Sequence, residues 1–246
     1  MHIERTGPPD GPRVVLLHGG GVAGWMWEPL RQALPADLEL IIPDLPGHDR
    51  SAQDEYVSQD RTIQELRRYL DAEVGAPYAV VGFSFGAQLA VRLAAESAGA
   101  VSHVTVISAQ AKPARFPALT LGLLAAAAPL ARRPAFARAQ AKQLFIPDSL
   151  LDDYVRTSTE LAVSTLTRMV GDNIRFTIPA GWDSYTGSAL MLIGRDERRV
   201  IADSARALQR KLPGSDLEIV DGCGHGIPFQ RPAWLAARLA AQWTAR

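Results

Sequence analysis

Cysteine is nearly absent from this 246-residue sequence. Cys223 is the only one, so no internal disulfide can form, and a reducing, cytoplasmic compartment is expected. Net charge is absent too, because 26 Lys and Arg balance 26 Asp and Glu. That balance gives no pull toward nucleic acid or an anionic membrane, and neither partner is expected. The doublets Arg132-Arg133 and Arg198-Arg199 read as solvated faces. No apolar run reaches the ~20 residues of a membrane span. The most apolar stretch, residues 119–131, is interrupted by Gly122 and Pro129 and reads as a buried or groove-lining helix. The opening residues, Met1-His2-Ile3-Glu4-Arg5, carry no apolar core of a secretory signal, so none is expected. Gly-rich dinucleotide fingerprints, metal-ligand clusters and solenoid repeats are also missing. Neither a cofactor nor a metal is therefore expected.

What is present is an ordinary globular composition, 47% hydrophobic and 21% charged, long enough for one large domain. Short apolar runs at 14–17, 40–42, 79–81, 104–107, 190–193 and 217–220 are strand candidates. Most are apolar on both faces, as parallel strands covered by helices must be. Helical patterns lie between them, at 27–34, 87–97, 202–212 and 233–243. Another follows Thr62-Ile63-Gln64-Glu65, which reads as a capping box ahead of an apolar stripe of Ile63, Leu66, Leu70 and Val74. Strand-helix alternation predicts an α/β chain with a doubly wound, mostly parallel sheet. Residues 111–180 break the rhythm: they hold no convincing strand, two or three Ala/Leu-rich helices and several prolines. They are expected to form a helical cap inserted into a core of residues 1–110 and 181–246.

Gly82-Phe83-Ser84-Phe85-Gly86 sits between a strand, Tyr78-Ala79-Val80-Val81, and a helix that begins at Ala87. This is G-x-S-x-G in the strand-turn-helix setting that gives it meaning. A sharp turn from strand to helix strains Ser84 and presents its hydroxyl, and the flanking glycines leave room for the turn. Ser84 is the expected nucleophile. The Phe85 amide opens the helix, where the dipole favours negative charge. His18-Gly19-Gly20-Gly21 follows the first predicted strand, and glycines there let backbone N–H groups approach a substrate. The amides of Phe85 and Gly20 (or Gly21) are expected to hold an oxyanion, with His18 bracing the loop.

His225 lies in a glycine-rich loop after the last predicted strand, and it is the expected general base. An imidazole in that role needs an acceptor on its second nitrogen. Two carboxylates, Asp196 and Glu197, follow the strand at 190–193 and supply it in the order serine, acid, histidine.

These motifs, together with Pro43-Asp44-Leu45-Pro46-Gly47-His48, resemble the α/β-hydrolase superfamily in its esterase and lactonase-like members. The resemblance covers nearly the whole chain. It implies an acid three residues after Gly194, which is Glu197 here, where Asp is usual. The usual Gly-His-Gly turn reads Gly47-His48-Asp49, a tolerable change if that position has positive φ. Few residues precede the first predicted strand, so the antiparallel sheet edge found in the family is expected to be trimmed. A serine nucleophile argues against the dehalogenases and epoxide hydrolases of this fold, which the resemblance implies would use Asp.

The expectation is a serine hydrolase acting on a small ester or related acyl compound. Its rivals are carbon–carbon bond hydrolysis, lactone opening or perhydrolysis on the same residues, and a non-catalytic binding protein of the same fold. Gly21, Trp25 and Phe83 are expected at the substrate, in an apolar pocket completed by the cap. The alternative for the aromatics is plain core packing.

Overall fold

Where apolar residues run without interruption, the chain forms strands whose alternate side chains feed two different cores. The computed structural model describes residues 1–97 and 99–244, without the side chains of 125–129 and 131. Residues 98, 245 and 246, inside the expected core, lie outside the described residues. The strands are β1 (Ile3–Thr6), β2 (Arg13–Leu17), β3 (Glu39–Pro43), β4 (Tyr78–Phe83), β5 (Val101–Ile107), β6 (Ser188–Gly194) and β7 (Asp216–Val220). They form one sheet in the order β1-β3-β2-β4-β5-β6-β7. Every pairing is parallel except β1 with β3, where Ile3 faces Pro43 and Thr6 faces Leu40.

The core helices are α1 (Glu28–Arg31), α2 (Gln59–Tyr69), α3 (Phe85–Glu96), α8 (Arg199–Lys211), α9 (Ile227–Gln230) and α10 (Pro232–Thr244). On β2, Val15 and Leu17 pack under α2 and α3 with Ile63, Leu66 and Leu89. Val14 and Leu16 face the other way, toward Leu30 of α1 and Leu235 and Leu239 of α10. Burial on both faces is what parallel strands require.

The antiparallel edge is trimmed as expected, and two other local expectations need correction. The edge is trimmed to one antiparallel strand, β1, which sequence reading missed because it offers a single strongly apolar residue, Ile3. The 62–65 capping box does not form. Helix α2 starts one turn earlier, with Ser58 accepting the Arg61 amide at 3.2 Å, and Thr62 sits inside the helix, donating to the Ser58 carbonyl. The 27–34 helix shortens to one 3-10 turn, Gly24–Trp27, followed by α1.

Among the described residues, no strand and four α-helices lie between β5 and β6: α4 (Pro117–Ala131), α5 (Pro134–Gln143), α6 (Leu151–Glu160) and α7 (Val163–Arg175). That is more than the two or three expected. Helix α7 is tied to the core by buried polar groups. Gln88 of α3 donates to the Asn173 carbonyl at 3.0 Å and accepts from Gln59 at 2.6 Å, and Tyr56 donates to Asp172 at 2.6 Å. Helix α6 is held by an ion pair between Arg156 and Asp49. Asp49 has φ 42°, which fits its standing in for a glycine. Residues 119–131 are not buried as expected: Leu119, Leu123 and Leu130 are exposed, and only Leu124 of the described side chains there lines a cavity. No helix among the described residues is long and apolar enough to cross a membrane.

Candidate active site

Because β4, β5, β6 and β7 are parallel, the loops at their carboxyl ends share one rim of the sheet. Ser84 leaves β4 at φ 54° and ψ −111°, outside ordinary conformations. The glycines around it are steric necessities. A side-chain carbon at Gly82 would meet the Gly86 carbonyl at 2.3 Å, and one at Gly86 would meet the Leu17 carbonyl at 2.3 Å.

His225 reaches the same point from the loop after β7. Its Nε2 lies 3.0 Å from Ser84 Oγ, and its Nδ1 lies 2.9 Å from Glu197 Oε2. The Glu197 side chain is 1% exposed. Its other oxygen accepts from the Gly194 amide at 3.0 Å and from the Ser108 hydroxyl. A carboxylate only accepts, so Nδ1 carries the ring proton and Nε2 is left to accept. The structure therefore brings Ser84, His225 and Glu197 together and leaves Asp196 aside. Asp196 is exposed, makes no side-chain hydrogen bond among the described residues, and uses its amide to bond the Cys223 carbonyl at 3.0 Å. The acid and histidine loops are in close contact, since a side-chain carbon at Gly194 would come within 2.3 Å of the Cys223 and Gly224 carbonyls. Gln230 accepts the Gly224 amide at 3.1 Å, so the loop carrying His225 is pinned rather than loose.

Gly20 and Phe85 both border the cavity above Ser84, and neither amide has an acceptor among the described residues. The Gly21 amide is taken: it donates to His48 Nε2 at 3.3 Å, although Gly21 itself lines the cavity. Two buried histidines hold this loop. His18 Nε2 accepts the Leu45 amide at 2.8 Å and its Nδ1 lies 2.7 Å from the Gly19 carbonyl, while His48 Nδ1 lies 3.0 Å from the Pro46 carbonyl. Burial pushes both imidazoles below their ordinary range, and for His18 the neighbouring His48 adds to it. Both are neutral in the fold, whereas in the unfolded chain each titrates near 6.5. Their contribution to stability is thus complete above that pH and lost as pH falls below it, by at most about 1.4 kcal/mol per pH unit for each ring. The urea midpoint is expected to be lower at pH 5.5 than at pH 7.5. An equal or higher midpoint at pH 5.5 would contradict the neutral pair.

Two cavities meet at Ser84. The larger, about 330 Å³, runs under the inserted helices and is lined by Phe85, Leu144, Tyr154, Leu161 and one face of α7. That face is Leu166, Met169, Val170 and Asn173, at helical spacing i, i+3, i+4 and i+7. The smaller, about 130 Å³, lies on the His225 side and is walled by Val22, Phe83, Ile146 and Phe229. Phe83 is placed there, with its ring centroid 5.2 Å from that of His225. Trp25 is not. It lines neither cavity, packs edge-on against Tyr154, and donates to Thr157 Oγ1 at 3.0 Å, which makes it a brace for α6. Sequence reading missed Ser108 and Met169. The α7 periodicity could have found Met169, while Ser108 left only one sign, a hydroxyl at the end of a core strand.

The model of the family described as "Alpha/beta hydrolase family" matches residues 14–238. Among curated proteins, the chain is 28% identical to Lipase LipV of Mycobacterium tuberculosis, over 96% of this chain and 95% of that protein. It is 23% identical to monoacylglycerol lipase abhd6-B of Xenopus laevis, over 94% of this chain and 75% of that protein. Among solved structures, the bromoperoxidase of Bacillus anthracis superposes with a TM-score of 0.85 at 18% identity, covering 99% of this chain and 95% of that one. A match across that span, on a fold and strand order of this kind, has one meaning: the chain belongs to the alpha/beta hydrolase family.

Proposed function

We propose that this hydrolase cleaves carboxylic esters through an acyl-enzyme on Ser84. The observation that carries the reading is the unbroken relay from Ser84 Oγ to His225 Nε2 at 3.0 Å and from His225 Nδ1 to Glu197 at 2.9 Å. In it, Ser84 Oγ attacks the carbonyl carbon as its proton passes to Nε2. The carbonyl oxygen gains the negative charge, and the free amides of Gly20 and Phe85 stabilise it. When the intermediate collapses, the imidazolium returns the proton to the departing alkoxide. Water, activated by the same nitrogen, then releases the acid and restores Ser84. Glu197 stabilises the imidazolium and holds the ring in the productive tautomer. The resemblance in name to lipases among its relatives agrees with ester chemistry.

The two cavities support a division of the substrate. The alcohol must leave beside the imidazole that protonates it, and the cavity on that side is about 130 Å³. At ~30 Å³ per water-sized group it takes roughly four such groups. The acyl chain is left with about 330 Å³ of mostly apolar wall, or roughly eleven groups. The preferred substrate is an ester of a short alcohol and a medium apolar acid. Each methylene buried contributes about 0.8 kcal/mol, close to fourfold in kcat/KM. Ethyl esters from acetate to hexanoate should therefore rise steeply in kcat/KM. A flat series would remove the acyl-cavity reading, and no hydrolysis of any ester would remove the esterase reading.

A further inference from the structure

Charge is balanced along the chain as a whole but not along the first two inserted helices, α4 and α5. Residues 97–147 contain no Asp or Glu, while Lys112, Arg115, Arg132, Arg133, Arg138 and Lys142 fall within them. Arg133, Arg138 and Lys142 are exposed and take part in no ion pair among the described residues. The same stretch carries most of the chain's misplaced apolar surface. Of eight exposed large apolar side chains among the described residues, six lie there: Phe116, Leu119, Leu123, Leu130, Phe136 and Phe145. Leu119 and Leu123 of α4 are 63% and 65% exposed. A helix at a water surface ordinarily has a polar face, and α4 has none, since residues 117–131 include no charged side chain. Its exposed side requires a cover.

We propose that α4 and α5 form a docking face for an anionic lipid surface, with the mouth of the larger cavity turned toward it. Charge selects the occupant. A second copy would bring Arg133, Arg138 and Lys142 against their own equivalents, whereas anionic headgroups would accept the cations as the leucines and phenylalanines enter the acyl boundary. The geometry adds continuity with the site. Arg132 and Phe136 belong both to this exposed face and to the lining of the cavity that contains Ser84. An apolar ester dissolved in the lipid would pass into the cavity without crossing water. That loading step rests on the esterase reading, but the docking does not.

The test is co-sedimentation of the full chain with phosphatidylcholine vesicles, with and without phosphatidylglycerol, alongside hydrolysis of a soluble ethyl ester. Wild type should pellet with the anionic vesicles and be released by high salt. Leu119→Ser with Leu123→Ser should weaken that binding at least about tenfold, as should Arg133→Glu with Arg138→Glu. Both double variants should keep wild-type turnover of the soluble ester, which none of these four side chains touches. Wild type remaining in the supernatant, or either variant pelleting as wild type does, overturns the docking face. So does a wild-type dimer that the leucine variant converts to monomer, since a second copy would then be the cover. Failure of the soluble-ester assay in all forms would instead strike the esterase reading and leave the docking result standing.

Discussion

Ser84→Ala is expected to leave a folded chain that hydrolyses esters on the order of 10⁴–10⁶ times more slowly than wild type. The change removes one oxygen from a half-buried site and relieves nothing that supports the sheet, so circular dichroism and the thermal midpoint should hardly move. The loss is large because no neighbouring group can replace the nucleophile. Among the described residues the only hydroxyl within hydrogen-bonding reach of His225 Nε2 is that of Ser84. A fluorophosphonate probe should label wild type and leave the variant untouched. Equal labelling, or equal turnover, would return the chain to the rival reading of a binding protein on a hydrolase fold.

Glu197→Gln should cost about 10⁴ in kcat, while Asp196→Asn should stay near wild type. Three donors converge on the Glu197 carboxylate: the Gly194 amide, the Ser108 hydroxyl and the His225 Nδ1 proton. Glutamine offers one acceptor oxygen in place of two. The Gly194 amide cannot turn away, so the oxygen of glutamine must stay with it, and the NH₂ group must then face Nδ1. The ring can meet that donor only by moving its own proton to Nε2, where it blocks transfer from Ser84. Asp196 is exposed and its amide, not its carboxylate, makes the loop contact, so its loss should register weakly. Comparing kcat for the two variants decides the matter, and the reverse ranking would move the acid to Asp196.

The contrast between these two carboxylates indicates where sequence is informative. Ser84 could be read because its turn admits only glycine two positions before and two positions after it, a steric demand that leaves a visible spacing. His225 could be read because glycines and a terminal strand isolate it from the other histidines. Glu197 and Asp196 are adjacent and chemically alike, so composition alone could not separate them. The turn after β6 separates them, since it buries one side chain and exposes the other. Ser108 was hidden because a serine closing a strand has no partner until β6 arrives beside it. The cap box at Thr62 failed because Ser58, one turn earlier, offered the same chemistry with an extended backbone. The inserted helices are visibly apolar in the sequence, but composition identifies which residues are apolar and not whether a neighbour covers them. Trp25 is misplaced by sequence for the same reason: an aromatic near a glycine loop can fill either a pocket or a seam, and only packing decides.

The groups proposed to react, Ser84, Glu197 and His225, follow the ends of β4, β6 and β7, with Ser108 at the end of β5 between them. Their alignment is therefore a property of strand registration. A slip of one position between β6 and β7 would shift Glu197 from His225 by about 3.3 Å and turn the strand's interior side chains outward. Such a slip breaks the relay and the core in a single event. In the proposed mechanism, turnover is bound to fail together with the sheet.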